Sequence, residues 1–425
     1  MRKVALHNLG CKVNQYEIDA MSENLENNGY EIIDFNEKAD IYIVNTCTVT
    51  NIADKKSRQM LRRAKKENPE AIVVATGCYT EVDDTADQIV DIVVGNNKKS
   101  QIVEILNDYL KSSTRENVVI KDESHQKVFE QLGISHTSEH TRAYLKVEDG
   151  CNSFCSYCII PFARGRVRSN PINLVMKEAK ALANKGYKEV VLTGIHLSSY
   201  GIDINSNLLE LIQNIATIEG IERIRLGSLE PRLITEEFAK EISKIDKICP
   251  QFHLALQSGS DTVLKRMNRK YNTSDYKEAV RLVRKYFDNP ALTTDIIVGF
   301  PGETEEEFIE TYDFVDNIDF YETHIFKYSS RKGTKASKMS DQINGKIKDE
   351  RSHKLLELDK NKRKKYENSF LNNNLQVLFE TKEVIDGYDY YIGHSKEYIK
   401  VKEKSSLDLV NQIKSVKLTD LSQIV

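Results

Sequence analysis

Short apolar runs alternate with amphipathic stretches of helical period along most of this 425-residue chain. In the first part, the predicted strands are Val4 to Leu9, Ile41 to Thr46, Ala71 to Thr76 and Ile92 to Val94. Helices such as Gln15 to Asn27 fit between them. This alternation is typical of a parallel sheet covered by helices. We therefore expect an N-terminal parallel α/β domain over residues 1–112.

The alternation resumes after a polar stretch, residues 113–136, which has no clear period and is expected to be a linker. The next predicted strands are Ala143 to Val147, Glu189 to Thr193, Arg223 to Leu226, Phe252 to Leu256, Leu292 to Val298 and Thr323 to Tyr328. Six strand–helix units fit a partial (β/α) barrel over residues 137–367 better than a full barrel of eight. Short strand candidates separated by turns predict a small β-barrel over residues 368–425.

The charge of the chain is segregated. With 40% apolar and 29% charged residues, the composition is that of an ordered protein. The 61 basic and 64 acidic side chains give a net charge of −3, which taken alone argues against nucleic-acid binding. However, Asn51 to Lys66 carries net +6 and Arg331 to Tyr366 net +8, whereas Glu303 to Glu322 holds nine acids and no base. Basic runs attract phosphate, although each run alone also fits a solvated helix face.

The longest stretch without a charged residue, Gly150 to Ala163, is 14 residues long, too short to span a membrane. The N-terminus lacks the apolar core and cleavage site of a signal peptide. We therefore expect a cytoplasmic protein, in which thiols stay reduced. In that compartment, the seven cysteines are candidates for metal binding rather than for disulfides.

Three cysteines, Cys151, Cys155 and Cys158, follow the first strand of the second section with the spacing C-x3-C-x2-C. Three thiolates this close can bind one metal centre, but they leave a tetrahedral zinc site one ligand short. A 4Fe–4S cluster bound by three cysteines would keep one iron open to another ligand. The alternatives are a zinc site completed by a distant histidine and unrelated buried cysteines.

Cys11, Cys47 and Cys78 each follow the C-terminal end of a predicted strand. In a parallel sheet those ends lie at one edge, where ligands bind. We therefore predict a second three-cysteine cluster, again with an open iron. The alternative is three ordinary buried thiols, because free cysteine is often buried. Cys249, which precedes Pro250, has no partner in this scheme and is expected to be structural.

The C-x3-C-x2-C spacing, with Tyr157 before the last cysteine, resembles the radical S-adenosylmethionine (SAM) superfamily, whose partial barrel also fits the six units. The segments around the other three cysteines resemble the N-terminal domain of the methylthiotransferases. These segments are Leu9 to Glu17, Asn45 to Thr50 and Thr76 to Tyr79. Leu256 to Asp261 and Ile296 to Thr304 are also typical of that family. Residues 368–425 are similar to the TRAM domain, a small RNA-binding barrel.

The resemblance implies two 4Fe–4S clusters and two uses of SAM. One SAM methylates a sulfur at the cluster of Cys11, Cys47 and Cys78. A second SAM, at the cluster of Cys151, Cys155 and Cys158, yields a radical that abstracts hydrogen from carbon 2 of an adenine, to which a methylthio group is then transferred. The segments at Cys11 and Cys47 resemble the branch acting on N6-threonylcarbamoyladenosine at position 37 of tRNA. Isopentenyladenosine in tRNA, a ribosomal-protein aspartate, and a non-catalytic iron–sulfur RNA-binding protein are the alternatives.

Further contacts are expected at the strand ends and in the basic runs. The predicted contacts to SAM or substrate are Tyr157, Glu230, Gln257, Ser258, Asp295 and Gly299. The predicted tRNA contacts are Lys55, Arg58, Arg62, Arg164, Arg166, Arg168, Arg331, Lys332, Lys362 and Arg363. A Gly-Gly-Glu-like motif of the superfamily is replaced by Thr193-Gly194-Ile195, without an acid. The resemblance also implies an external electron donor, and we expect a monomer that does not contact a membrane.

Overall fold

The computed structural model describes residues 1–83, 88–112, 116–121, 128–137 and 141–425. These residues form an N-terminal α/β domain, a central barrel and a C-terminal β domain. Much of the expected linker, residues 113–115 and 122–127, lies outside the described residues. The described part of that stretch contributes a strand, residues 118–120, to the N-terminal sheet, which corrects the expectation of a plain linker.

The N-terminal domain is a sheet of six parallel strands in the order β2-β1-β3-β4-β5-β6. Its strands are β1 (Lys3–Asn8), β2 (Glu31–Ile33), β3 (Ile41–Thr46), β4 (Ile72–Gly77), β5 (Ile92–Val94) and β6 (Val118–Ile120). Its helices are α1 (Lys12–Asn27), α2 (Asn51–Glu67), α3 (Cys78–Val82) and α4 (Ile102–Lys111). The central strands β3 and β4 are buried along their whole length, as expected for a parallel sheet covered on both faces.

Helices α1 and α2 both begin at the sheet edge where cysteines follow the strands. Helix α1 begins at Lys12, directly after Cys11, and not at the predicted Gln15. Helix α2 begins after Thr50, whose side chain accepts a hydrogen bond from the backbone N–H of Ala53 and so caps the helix. Both helices therefore begin within a few residues of a cysteine that follows a strand.

The central domain confirms the predicted partial barrel of six parallel strands. The strands are β7 (Arg142–Lys146), β10 (Glu189–Thr193), β11 (Arg223–Leu226), β12 (Gln251–His253), β13 (Ala291–Val298) and β14 (Glu322–Lys327). They form two parallel sheets, β11-β10-β7 and β12-β13-β14. Single parallel bridges, Ile224 with Ile248 and Leu229 with Leu254, join the two sheets. Strand β12 is shorter than predicted.

Helices cover the outside of this barrel. They are α6 (Ile172–Asn184), α7 (Leu208–Ala216), α8 (Glu236–Ser243), α9 (Asp261–Arg266), α10 (Thr273–Tyr286), α11 (Glu305–Ile318) and α12 (Gly345–Asn368). A two-stranded ribbon, β8 (Glu148–Asp149) with β9 (Arg168–Ser169), brackets the cysteine loop and the short helix α5 (Ile160–Arg164). Among the helices of the described residues, none is both long and apolar enough to cross a bilayer.

The barrel strands present apolar side chains to the helices and polar ones to the interior. Leu145, Leu192, Leu226, Leu254 and Ile296 belong to the large core cluster that the helices complete. Because side chains alternate along a strand, the intervening residues face the interior. These are mainly polar and include Arg142, Glu189, Arg225, His253 and Asp295. The barrel therefore encloses a polar interior suited to a charged ligand.

The C-terminal domain is an antiparallel sheet with the strand order β17-β16-β15-β18. Its strands are β15 (Asn374–Ile385), β16 (Tyr388–Ser395), β17 (Lys400–Lys404) and β18 (Ile413–Lys417). The sheet curls into a half-barrel, with a register shift between Phe379 and Thr381. Arg223 and Arg225 of β11 donate hydrogen bonds to backbone carbonyls of this domain, which fixes it against the central barrel.

Candidate active site

The N-terminal cysteines converge because three adjacent parallel strands end at the same edge. Cys11 follows β1, Cys47 follows β3 and Cys78 follows β4. Gly10 lies so close to the second loop that an added Cβ would be 3.1 Å from Cβ of Cys47. Gly77 has φ +97° and lies against the backbone of Thr46. These two glycines allow the loops to approach one another, so the structure agrees with the predicted convergence.

Burial favours the protonated form of two of these thiols, Cys47 and Cys78. It raises the pKa of Cys47 to about 11, and the neighbouring Cys78 and Cys11 raise it further. Burial also raises the pKa of Cys78, although the Arg164 guanidinium acts in the opposite direction. Thiols must lose their protons to bind a metal, so binding here releases protons. The site is therefore a set of three thiols that a metal cluster would convert to thiolates.

The central cysteines lie in one loop that backbone contacts hold in place. The N–H of Cys151 donates to the carbonyl of Gly165 (3.1 Å). An added Cβ on Gly150 would lie 2.0 Å from the carbonyl oxygen of Arg166, so this crossing of the loop requires glycine. Arg269 donates to Sγ of Cys155 (3.2 Å). Burial, together with Cys155 and Cys151, raises the pKa of Cys158 to about 12.

The spacing of the sulfur atoms fits clusters better than single zinc ions. Among the described residues, only His253, Asp295 and His324 bring three candidate ligand atoms within 4.8 Å of one another. Each cysteine triad therefore has at least one pair of sulfurs farther apart. Tetrahedral zinc with Zn–S bonds of about 2.3 Å would hold every pair about 3.8 Å apart. All-thiol sites with wider spacing fit iron–sulfur clusters, which cysteine thiolates bind.

Arg164 connects the two cysteine sites. It ends helix α5, six residues after Cys158, and its Nε donates to Sγ of Cys78 (3.1 Å). Its other nitrogens donate to Glu17 (2.6 Å) and to Asn14 (2.7 Å) of helix α1. The segment after the central cysteines therefore packs directly against the N-terminal cysteine site, across the boundary between the two domains.

A buried charge network surrounds this arginine. Glu17 is also paired with Lys99 (2.8 Å) and Lys146 (2.8 Å), and Lys146 with Asp149 (2.7 Å). These cations outweigh the effect of burial, which alone would raise the pKa of Glu17, and hold it well below its usual range. The network couples the first helix of the N-terminal domain to the first strand of the barrel.

Several predicted tRNA contacts are corrected by this burial. Arg164 and Arg168 are buried, and Arg168 is held by Asp149 (3.5 Å) and by the carbonyl of Arg164 (2.9 Å). Arg331 is also buried, with its guanidinium bonded to Asp54 (2.7 Å) and Thr48 (2.6 Å) of the N-terminal domain. These three arginines join elements of the protein and are not available to a phosphate backbone.

The other predicted tRNA contacts divide into paired and open cations. Lys362 is paired with Asp316 (2.6 Å) and Asp319 (2.7 Å), and Arg363 is paired with Glu322 and Glu367. Arg58 donates to the hydroxyl of Tyr79. Lys55, Arg62, Arg166 and Lys332 are exposed. The guanidinium of Arg166 stacks on the ring of Phe154, 4.5 Å from its centre.

Of the predicted SAM or substrate contacts, some lie at the barrel interior and others are engaged outside it. Asp295 faces the interior, 3.4 Å from His253, and Tyr157 packs edge-on against Phe300. Gln257 has φ +72° and continues the sheet through its backbone. The hydroxyl of Ser258 instead bonds to Thr311 of helix α11, on the outer side. Gly299 lies under Lys348 of helix α12, whose Cγ would be 2.3 Å from an added Cβ. The structure thus corrects the expectation for these last two.

Glu230 and Glu148 form an acidic part of the barrel interior. Glu230 accepts from His196 (3.0 Å) and Arg232 (2.9 Å), and these partners lower its pKa to about 2 despite burial. Glu148 lies against Gly194 and accepts from the N–H of His196 (2.7 Å). Glu148 therefore brings a carboxyl group to the Thr193-Gly194-Ile195 turn, where the sequence has no acid.

One oxygen of Glu148 fits a ligand that brings a hydrogen-bond donor. The side chain is buried, and its Oε1 has no hydrogen-bond partner among the described residues. Burial raises the pKa of this carboxyl well above its usual range. An orphaned acceptor of this kind is costly unless a ligand satisfies it. The ammonium group of SAM is a donor of the required kind.

Sequence reasoning missed Glu148, Arg269, His253 and His324. His253 and His324 come from strands on either side of β13, and their rings stack 5.8 Å apart. None of these residues belongs to a motif of recognisable spacing. For Glu148, His253 and His324 the available signal was position, since each lies next to the end of a predicted strand, whereas Arg269 had no such signal.

The chain matches two known families over these parts. Residues 3–95 match the uncharacterized protein family UPF0004, and residues 145–315 match the radical SAM superfamily. Over 425 aligned residues the chain is 42% identical to the threonylcarbamoyladenosine tRNA methylthiotransferase MtaB of Bacillus subtilis, covering 98% of this chain and 94% of that protein. The chain belongs to the MtaB family of methylthiotransferases. The MtaB of Aquifex aeolicus is 44% identical, covering 86% of this chain and 89% of that protein.

A related family and a solved structure extend these comparisons. The tRNA-2-methylthio-N(6)-dimethylallyladenosine synthase of Clostridium botulinum is 37% identical to this MtaB-family chain, over 82% of it and 79% of that protein. The radical S-adenosylmethionine methyltransferase TsrM of Kitasatospora setae has a similar fold, with a TM-score of 0.58 at 17% identity. That similarity covers 77% of this chain and 75% of TsrM. The two proteins therefore share a fold over that part of the chain.

Proposed function

We propose that this protein converts N6-threonylcarbamoyladenosine at position 37 of tRNA to its 2-methylthio form. The observation that carries the proposal is the contact between Arg164, at the end of the helix after Cys158, and Cys78 of the other triad. It brings Cys78 next to the segment that follows Cys158, which supports a site in which one bound nucleoside reaches both clusters. A reaction that uses two clusters on one substrate requires this arrangement.

Both cysteine triads fit 4Fe–4S clusters, and the interior acid Glu148 fits SAM. When bound, SAM and the central cluster would supply a 5′-deoxyadenosyl radical, and the N-terminal cluster would hold a sulfur that a first SAM methylates. The hydrogen on carbon 2 of the adenine would leave in 5′-deoxyadenosine and the methylthio group would take its place, with one electron passing to the N-terminal cluster. An external donor would supply the electron that cleaves SAM.

The protein residues position these groups and exclude water. Cys151, Cys155 and Cys158 hold one cluster in a loop fixed by backbone hydrogen bonds, and Arg269 contacts the sulfur of Cys155. Arg164 contacts the sulfur of Cys78 and closes the boundary between the domains. A radical enzyme benefits from such closure, because an enclosed site prevents side reactions of a reactive intermediate.

The choice of substrate rests on the relatives. Four proteins named as threonylcarbamoyladenosine tRNA methylthiotransferases are 38–44% identical to this chain and cover 86–98% of it. The dimethylallyladenosine synthases are 37% identical and cover 82%. The higher identity over a larger part of the chain supports the threonylcarbamoyl substrate.

The surface beside the site suits an anticodon stem-loop. Lys55 and Arg62 are exposed on helix α2, which follows Cys47, and Arg166 is exposed beside Cys158. Exposed cations attract the phosphate backbone without regard to sequence. The C-terminal half-barrel adds a further surface for RNA. That the protein acts as a monomer stays a prediction.

Two measurements test the proposal. Iron analysis of anaerobically reconstituted protein is expected to give about eight irons per chain, four for each cluster. Mass spectrometry of tRNA nucleosides from a strain lacking the gene is expected to show loss of the 2-methylthio form of threonylcarbamoyladenosine, restored by the wild-type gene. Loss of the 2-methylthio dimethylallyl nucleoside instead would assign the other substrate, and about four irons would refute the two-cluster site.

A further inference from the structure

Two histidines and an aspartate converge on one face of the second barrel sheet. His253 lies on β12, Asp295 on β13 and His324 on β14, and β13 pairs in parallel with both of its neighbours. In this register Asp295 lies opposite His324, and His253 lies opposite Thr293, two residues before Asp295. Since residues two apart on a strand share a face, all three side chains lie on the side that faces the barrel interior.

The distances between these side chains suit one bound metal ion. One candidate ligand atom from each of the three lies within 4.8 Å of those from the other two. Nε2 of His253 is 3.4 Å from Oδ2 of Asp295, which is too long for a strong hydrogen bond. Two ligand atoms on a tetrahedral zinc ion with bonds of about 2.1 Å lie about 3.4 Å apart. The two histidine ring centres are 5.8 Å apart, close to the value of about 5 Å expected for two imidazoles on one zinc.

The surroundings of the three side chains also favour a cation. Nδ1 of His253 lies 3.0 Å from the hydroxyl of Thr293. This hydroxyl can accept a hydrogen bond from an N–H at Nδ1, which leaves Nε2 free as a metal ligand. In the described part of the chain, Asp295 has no ion pair with a lysine or arginine, whereas Glu189 in the same interior is paired with Arg225 (2.7 Å). With both imidazoles in the neutral form that binds metals, this carboxylate lacks the positive charge that a divalent ion would supply.

We propose that His253, Asp295 and His324 bind one Zn²⁺ ion in the barrel interior, in addition to the two iron–sulfur clusters. The inference goes beyond the proposed function and does not depend on it. Imidazole and carboxylate ligands suit zinc, and three protein ligands leave a fourth position open, as in catalytic rather than structural zinc sites. That position is available to water or to an oxygen atom of a ligand in the interior. His324 is exposed, so its ring can rotate to bring a nitrogen to bonding distance.

A second histidine–carboxylate pair provides the matched control. His353 and Glu357 lie one turn apart on helix α12, with Nε2 and Oε1 also 3.4 Å apart. Both side chains are exposed, and among the described residues no third histidine, cysteine or acid converges with them as Asp295 does with the two barrel histidines. The same pair of ligand types at the same distance therefore lacks the third ligand, and we expect it to bind zinc only weakly.

Zinc binding to the full-length protein tests the proposal, with both clusters loaded so that they occupy the cysteine thiols. Equilibrium dialysis against zinc is expected to give one bound zinc ion per wild-type chain. His324→Ala and Asp295→Asn are each expected to weaken this binding at least about 10-fold, because losing even an outer hydrogen-bond partner of a metal ligand costs about 10- to 100-fold. His353→Ala is expected to bind zinc as wild type does. Zinc-edge X-ray absorption is expected to show nitrogen and oxygen ligands at about 2.0–2.1 Å and no sulfur at about 2.3 Å.

Iron content separates the loss of a zinc ligand from damage to the protein. Both variants are expected to keep the iron content of wild type, and the exposed His324 decides the question by itself if Asp295→Asn loses iron. A wild-type protein that binds no zinc, zinc bound through sulfur, or equal affinity in wild type and His324→Ala would each overturn the site. Failure to form the 2-methylthio nucleoside would refute the proposed function and leave this zinc site standing.

Discussion

The two cysteine sites reach similar chemistry by different structural routes. The central site takes its three ligands from eight consecutive residues, Cys151 to Cys158, in a loop held by its own backbone contacts. The N-terminal site takes its ligands from three strand ends that are separated by 36 and 31 residues. The first site is local, whereas the second exists only when the parallel sheet is formed.

The arginines that contact the cysteine sulfurs also differ in origin between the two sites, one being local and the other coming from another domain. Around the central site, one arginine, Arg269, contacts a cysteine sulfur. Around the N-terminal site, Arg164 from the other domain contacts Cys78, and it is held by Glu17 and Asp149 in a buried network. The N-terminal site therefore depends on contacts between domains, and perturbations of those contacts are expected to affect it first.

Removing one ligand from each site gives the largest expected effect. We expect Cys155→Ala to abolish cleavage of SAM to 5′-deoxyadenosine and, with it, all product. We expect Cys47→Ala to abolish the methylthiolated product while SAM cleavage persists, because the central site is complete without it. Iron content, 5′-deoxyadenosine and modified nucleoside are measured for each variant, and each is expected to lose about half of its iron.

Cys249→Ala is the matched control, since this buried cysteine belongs to neither site. It is expected to keep full iron content and to cost about 1 kcal/mol of stability for the small cavity. Loss of SAM cleavage in Cys47→Ala would show that the two sites are not separable in this way.

Arg164→Met tests the dependence of the N-terminal site on the other domain. The substitution leaves Glu17 and Asp149 with fewer cations in a buried place, which is expected to cost about 3–5 kcal/mol in the free energy of unfolding. Urea unfolding of the apoprotein measures it. Arg166→Met, two residues away and exposed, is expected to change stability by less than about 0.5 kcal/mol. Similar values for both variants would contradict the role given to Arg164.

The contrast between local and distributed sites also explains what the sequence could predict. The spacing of Cys151, Cys155 and Cys158 was readable directly, and the strand ends predicted where Cys11, Cys47 and Cys78 would meet. The barrel strands were predicted because most of them alternate apolar residues, which pack under the helices, with other residues. The strands β2 and β6 were not, since each has three half-buried or exposed residues and no strong pattern.

Side-chain direction was the main limit. Arg164, Arg166 and Arg168 alternate in the sequence and look equivalent, yet only the middle one is exposed. Their partners, Glu17 and Asp149, come from another domain and from the neighbouring ribbon, and no local pattern connects them. Charge counts along the chain therefore predict a basic region but do not distinguish a cation that binds RNA from one that joins two domains.

Glu17→Gln tests the network through pH. The pKa of Glu17 lies well below its usual range, so its ionised form stabilises the folded protein above about pH 4.5. This contribution is lost as the pH falls further and the carboxylate is protonated. We expect the free energy of unfolding of wild type to exceed that of Glu17→Gln by about 3 kcal/mol at pH 7. We expect this difference to shrink as the pH falls from about 4.5 to about 3. Urea unfolding of the apoproteins at several pH values measures it.

The same substitution made together with Arg164→Met is the control. With its nearest cation removed, Glu17 loses part of its stabilisation, so the difference between Glu and Gln at pH 7 is expected to be smaller. A difference that is equally large in both backgrounds would show that Lys99 and Lys146 alone hold this carboxylate, without the arginine from helix α5.

The smallest effect is expected for surface cations that bind tRNA. The two basic runs differ in whether these cations are paired with acids. Lys55 and Arg62 are exposed on α2 beside the N-terminal site, whereas Lys362 on α12 is paired with Asp316 and Asp319. Replacing Lys55 or Arg62 by Ala is expected to lower the slope of log K against log salt for tRNA binding by about one each. Lys362→Met is expected to leave that slope unchanged, because a neutralised cation releases no counterion when RNA binds. A larger change for Lys362→Met than for Lys55→Ala would place the RNA on helix α12 and not on helix α2 beside the N-terminal cysteine site.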